Sequence, residues 1–192
     1  MALDLHDIEN LLTGRGASQY GMEAVSQLEH ALQCAQLADA AGEDEELVIA
    51  CLLHDLGHLL AAERAGTHEP DPERDDLHQF AALPFLRGVL PEAVLAPIRL
   101  HVDAKRYLCQ AEPGYFESLS PASVRSLAQQ GGAFDDEGAR AFMAQPHAAE
   151  AVRLRRYDDL AKVADKAVPP LAYYLPRLER LMTGAGTDII SS

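Results

Sequence analysis

Along most of the chain, apolar residues recur every three or four positions, the period of helices that bury one face, and no segment alternates at period two. The clearest run covers 18–41, "SQYGMEAVSQLEHALQCAQLADAA", and Gly42 closes it. A second is expected from about Asp44 to Arg64, with acidic residues in its first turn, where the helix dipole favours them. Further helices are expected at 76–89, 92–108, 121–130, 136–144, 147–165 and 170–182, with Pro84 and Pro97 kinking or dividing two of them. The stretch "AGTHEPDPERDD" has the composition of a charged lid loop, "QQGGAFDDEG" reads as a turn, and 183–192 as a tail. The pattern predicts an all-α helical bundle, a single domain over 1–192 with its core in about 18–182.

One stretch departs from the pattern in its chemistry. "ACLLHDLGHLL", residues 50–60, sets His54, Asp55 and His58 in an otherwise apolar helix. Buried polar groups without partners cost a few kcal/mol each, and an unpaired carboxylate costs more. A metal ion would satisfy all three. His54 and His58 stand one turn apart on a shared face, and Asp55 sits about 100° around from His54. His30 lies mid-run in the preceding helix, which an antiparallel pairing would bring opposite His54. His78, His101 and Asp158 fall in later helical runs. Imidazoles with carboxylates suit Fe, Mn or Zn rather than Ca or Mg. The competing role for Asp55 is to accept a hydrogen bond that orients a histidine.

Three potential cations each stand one turn from a candidate ligand: His58 from His54, Lys105 from His101, and Arg155 from Asp158. They are either solvated surface charges or the lining of an anion pocket. Tyr20 and Glu23 share a helical face, and by themselves read as an interfacial aromatic and a solvated acid. His6, His68 and His147 have no such company and are expected at the surface.

Charge narrows the partners. A net charge of −14 argues against a general nucleic-acid binder, yet leaves room for a small anion held in a local basic pocket. No apolar run approaches the ~20 residues that cross a bilayer. The start, "MALDLHDIENLL", lacks the basic residues of a secretion signal. Cys34, Cys51 and Cys109 are odd in number with no CxxC spacing, which predicts packed, reduced thiols in a cytoplasmic protein. The sequence carries no signature of oligomeric state.

The order His30, "HD" at 54–55, then Asp158 resembles the H…HD…D signature of the HD-domain superfamily, α-helical metal proteins that are mostly phosphohydrolases. More specifically, the chain resembles the HD-domain mixed-valent di-iron oxygenases of organophosphonate catabolism (PhnZ/TmpB type). The likeness runs through "YGMEAVSQLEHALQCA", "CLLHDLGH", "HVDAKRYL", "LSPAS", "QQGG", "DEG" and "RLRRYDD", nearly the whole chain. It implies that His30, His54, Asp55 and Asp158 hold one iron, and that Asp55 bridges to a second iron held by His78 and His101. It implies an Fe(II)/Fe(III) pair with O2 as cosubstrate. His58, Lys105, Ser123 and Arg155 would bind substrate, while Tyr20 and Glu23 would form a lock that substrate displaces. Glu23 would also meet a cationic substrate nitrogen.

The activity so implied is oxidative cleavage of the C–P bond of a 1-hydroxy-2-(amino or trimethylammonio)ethylphosphonate, giving phosphate with glycine or glycine betaine. The alternative is an HD phosphohydrolase acting on a phosphate ester. A non-catalytic HD module fits less well, because every proposed ligand is present.

Overall fold

The computed structural model describes residues 2–17, 23–65 and 77–184. Tyr20, His68 and most of the expected lid loop lie outside them. The described residues form helices α1 (Leu5–Asn10), α2 (Gln27–Ala40), α3 (Glu45–Leu53), α4 (Leu56–Ala65), α5 (His78–Ala81) and α6 (Leu83–Leu86). They continue as α7 (Glu92–Ala111), α8 (Tyr115–Ser118), α9 (Pro121–Gln129), α10 (Asp136–Met143), α11 (Ala148–Leu160) and α12 (Leu171–Gly184). A π-helical turn, Leu11–Arg15, follows α1, and the described residues contain no β-strand beyond an isolated Arg87–Leu90 bridge. The all-α expectation holds.

Helix α3 is the centre of the bundle. Leu47 through Leu53 are all buried, so the helix is apolar around its whole circumference rather than along one face. Helices α2, α7, α11 and α12 pack around it. A second, smaller apolar cluster joins α7, α10 and α11 through Leu100, Ala104, Phe142, Ala148 and Ala151.

Four boundaries differ from the periodicity. The described part of the first run becomes helical only at Gln27, because Ser26 caps it: its hydroxyl accepts from the Glu29 amide and the Glu29 carboxylate accepts from the Ser26 amide. The expected 44–64 helix is broken at His54 and Asp55, which link α3 to α4 by a turn. Pro84, in the first turn of α6, divides the 76–89 segment as expected, but Pro97 does not divide α7. Val94, Leu95, Ile98 and Leu100 around Pro97 are buried, and that packing offsets the one lost backbone bond. The 147–165 helix ends at Leu160, where the Ala161 carbonyl turns to a side chain described below.

Gly57 fixes how α4 meets α5. A Cβ at this position would lie 2.0 Å from the His78 carbonyl oxygen, so only glycine allows the two backbones to touch.

Candidate metal centre

His30 from α2, His54 and Asp55 from the α3–α4 turn, His78 from α5, His101 from α7 and Asp158 from α11 converge in the core. All six are buried. Five separate segments therefore contribute to one cluster, and the sequence reading had named each residue.

Backbone carbonyls set the rings. A carbonyl only accepts, so each ring nitrogen facing one is the protonated one. His30 Nδ1 donates to Ala161 O at 2.8 Å, His54 Nδ1 to Cys51 O at 2.9 Å, and His101 Nδ1 to Ile98 O at 2.7 Å. In the neutral rings the Nε2 atoms then carry bare lone pairs. Yet His30 Nε2 faces His54 Nε2 at 3.3 Å, and His78 Nε2 faces His101 Nε2 at 3.0 Å. On His30, His54 and His101 the Nε2 atoms thus turn inward to a neighbouring ring, where a shared proton or a metal cation would satisfy them.

The carboxylates complete two donor sets. Asp55 Oδ2 lies 3.7 Å from His30 Nε2 and 3.4 Å from His54 Nε2. Its other oxygen, Oδ1, lies 3.5 Å from His78 Nε2 and 3.8 Å from His101 Nε2. Asp158 Oδ1 adds to the first set, 3.3 Å from His30 Nε2. Asp55 Oδ2 and Asp158 Oδ1 are buried without any hydrogen-bond partner, which is the condition of oxygens held ready for a metal. The donors thus fit two ions bridged by Asp55, one with His30, His54 and Asp158 and the other with His78 and His101. His58 stacks on His78 with ring centroids 3.9 Å apart and reaches Asp55 Oδ1 at 3.9 Å, so it borders the second set.

The electrostatics agree. Burial works against charge on His54, but Asp55 beside it outweighs that cost and lifts the imidazole to about 10. Burial alone would raise the Asp55 carboxyl, and His54, His58 and His78 hold it well below the usual carboxylate range. Burial and the neighbouring His78 push His101 well below its ordinary value, so that ring stays neutral. The cluster attracts positive charge, and a metal ion held there would replace the proton that His54 otherwise carries.

Buried cationic side chains adjoin the cluster. Lys105 is almost fully buried, and its Nζ donates to Ser126 Oγ at 2.7 Å. Burial, then the Arg155 charge, pulls this lysine down to about 7. Arg155 Nη1 pairs with Asp158 Oδ2 at 2.8 Å, which turns Asp158 Oδ1 towards the metal ligands. Its Nη2 reaches Ser123 Oγ at 3.3 Å, and Asp159 and the Tyr115 hydroxyl hold its other edge. Glu23 accepts from Ser120 Oγ at 2.7 Å.

Sequence reasoning named Tyr115 only as an available aromatic, and it missed Asp159, Ser120, Ser126 and Lys162. The serines carried a visible signal: Ser120, Ser123 and Ser126 recur every three residues in "SPASVRS", which places them on one face of α9. The surface expectation holds for His6, which is exposed, and His147 is half-buried at the start of α11. Cys34, Cys51 and Cys109 are free thiols, the first two fully buried. Among the described residues no helix is long and apolar enough to cross a membrane.

The profile of the HD domain matches residues 27–166, which contain all six converging ligands. The chain belongs to the HD-domain family. Within that family, it is 43% identical over 169 residues to the hydroxymethylphosphonate dioxygenase of Gimesia maris, covering 88% of this chain and 83% of the relative. It is 35% identical over 175 residues to the glycine-betaine-forming 1-hydroxy-2-(trimethylamino)ethylphosphonate dioxygenase of Leisingera caerulea, covering 91% of this chain and 88% of the relative. This HD-domain protein therefore belongs with the phosphonate dioxygenases and is an oxygenase.

Proposed function

We propose that this enzyme is an O2-dependent di-iron oxygenase that cleaves the C–P bond of a 1-hydroxyphosphonate. The observation that carries the reading is the placement of Asp55, each oxygen of which faces its own imidazole pair beside a buried basic pocket. Imidazole and carboxylate donors with no thiolate suit iron. When bound, the iron pair supplies the one-electron chemistry and O2 activation that no side chain provides.

The chain's own residues bind and orient. Lys105 would offer a point charge to the phosphonate, and Arg155 and Ser123, hydrogen-bonded to each other, would add N–H and O–H groups. Arg155 also fixes Asp158, so one guanidinium couples the substrate side to the metal side. His58, beside Asp55 and stacked on His78, is proposed to exchange a proton with the substrate hydroxyl. Tyr20 and Glu23 are proposed to close the site until substrate enters.

In the net reaction the C–P bond and one C1–H bond break, C1 becomes a carboxylate, and phosphorus leaves as phosphate. O2 takes up four electrons and both its atoms enter the products. The sequence reading places amino or trimethylammonio groups at C2, with glycine or glycine betaine as product. The name of the Gimesia maris relative adds hydroxymethylphosphonate, from which the product is formate.

Phosphate release from a 1-hydroxyphosphonate by iron-loaded enzyme is expected to require O2 in proportion to turnover. Equal release under strict anaerobiosis, with no added oxidant, would overturn the reading in favour of a phosphohydrolase on the same donors.

A further inference from the structure

Lys162 stands between the acid and the anion sides of the pocket. Its Nζ lies 3.5 Å from Glu23 Oε1, the oxygen that also accepts from Ser120. The same ammonium donates to Ser123 Oγ at 3.3 Å. Both charged side chains are largely buried, Lys162 13% and Glu23 15% exposed, which limits screening by water.

The backbone carrying Lys162 is fixed on either side. Ala161 accepts from His30 Nδ1 at 2.8 Å, and Val163 exchanges two bonds with the buried Gln33, Gln33 Nε2 to Val163 O at 2.8 Å and Val163 N to Gln33 Oε1 at 3.1 Å. Helix α2 thus fixes the backbone around this lysine through Gln33 and through His30, which also belongs to the metal centre.

Glu23 is the acid that the sequence reading offered to a cationic substrate nitrogen. With Lys162 beside it, that carboxylate already has a counter-charge, and a substrate ammonium placed there would meet a like charge at close range. Ser123, meanwhile, has two cationic neighbours, Arg155 and Lys162, which strengthens the anion side. We propose that Lys162 sets the substrate range: by taking Glu23 it turns the enzyme towards 1-hydroxyphosphonates whose C1 substituent is uncharged, and away from those bearing an ammonium or trimethylammonio group. Hydroxymethylphosphonate is the smallest of the favoured class. Selection of this kind works through an unfavourable contact with the wrong substrate. The inference rests on the 1-hydroxyphosphonate reading given above.

The test compares the wild type, Lys162→Gln and Lys162→Arg against hydroxymethylphosphonate and 1-hydroxy-2-(trimethylammonio)ethylphosphonate. Two readouts are taken on metal-loaded protein: binding by anaerobic calorimetry and kcat/KM for O2-dependent phosphate release. The wild type is expected to favour hydroxymethylphosphonate by roughly tenfold or more in both. Lys162→Gln should narrow or reverse that ratio, Lys162→Arg should keep it, and metal content should be equal in all three. A wild-type preference for the cationic compound, or a ratio that Lys162→Gln leaves in place, would overturn the role of Lys162 and leave the hydroxyphosphonate reading standing. Binding of neither compound would remove that reading and the proposal with it.

Discussion

At the scale of single residues, Lys105 is the group whose chemistry depends most on its surroundings. Burial and Arg155 bring it down to about 7, against an ordinary lysine value of 10.5. Its charge is therefore complete below that pH and lost above it in the free enzyme. A bound phosphonate favours the charged form and must pull a proton onto the lysine at higher pH, so affinity is expected to weaken as pH rises through 7 and 8. Titration calorimetry across that range checks this, with Lys105→Arg as the control, since a guanidinium stays charged throughout. A pH profile identical in the wild type and Lys105→Arg would mean that Lys105 does not supply the binding charge. Arg155 shows the opposite design: burial disfavours its charge, and Asp158 and Asp159 restore it and hold it well above the ordinary value.

At the scale of elements, the contact between α4 and α5 governs half of the centre. Gly57 touches the His78 backbone, so an added methyl must push α5 outwards and carry His78 with it. Overpacking of this kind costs about 1–3 kcal/mol. Gly57→Ala is expected to lower the melting temperature and to reduce bound metal from about two ions per chain towards one, since only the His78 side is displaced. Elemental analysis of the purified variant checks the count. Two ions retained with full turnover would show that the contact relaxes without moving the histidine.

The same region shows what a sequence discloses. His30, His54, Asp55, His78, His101 and Asp158 were legible because polar groups inside apolar helices require a partner, and because their order matched a known signature. The break at His54–Asp55 was not, since the apolar period runs straight through it on both sides. The start of α2 was legible but overlooked: "SQLE" at 26–29 is a capping box, outweighed by the apolar run before it. Lys162 was hidden because its role comes from Gln33 and His30, far away in the chain, and no local spacing announces it.

At the scale of the whole molecule, the ligands come from five segments, and the core of α3 holds them in register. The proposed metal pair would tie together helices that are remote in the chain. The cationic pocket sits within a protein of net charge −14, so the attractive groups are few, local and inward-facing. Even with two bound metal ions the outer surface stays negative, and a phosphonate anion approaching from solution meets repulsion before it meets Lys105 or Arg155. Added salt screens that outer field, over a Debye length of about 10 Å at 0.1 M, before it weakens the short-range contacts inside. The association rate measured by stopped flow is therefore expected to rise between about 10 and 100 mM salt, the reverse of ordinary steering towards a charge-complementary surface. A rate that falls steadily over that range would mean that the pocket's own field reaches past the surface. The acidic exterior would make this enzyme quicker to capture scarce substrate in moderately saline water than in water nearly free of salt.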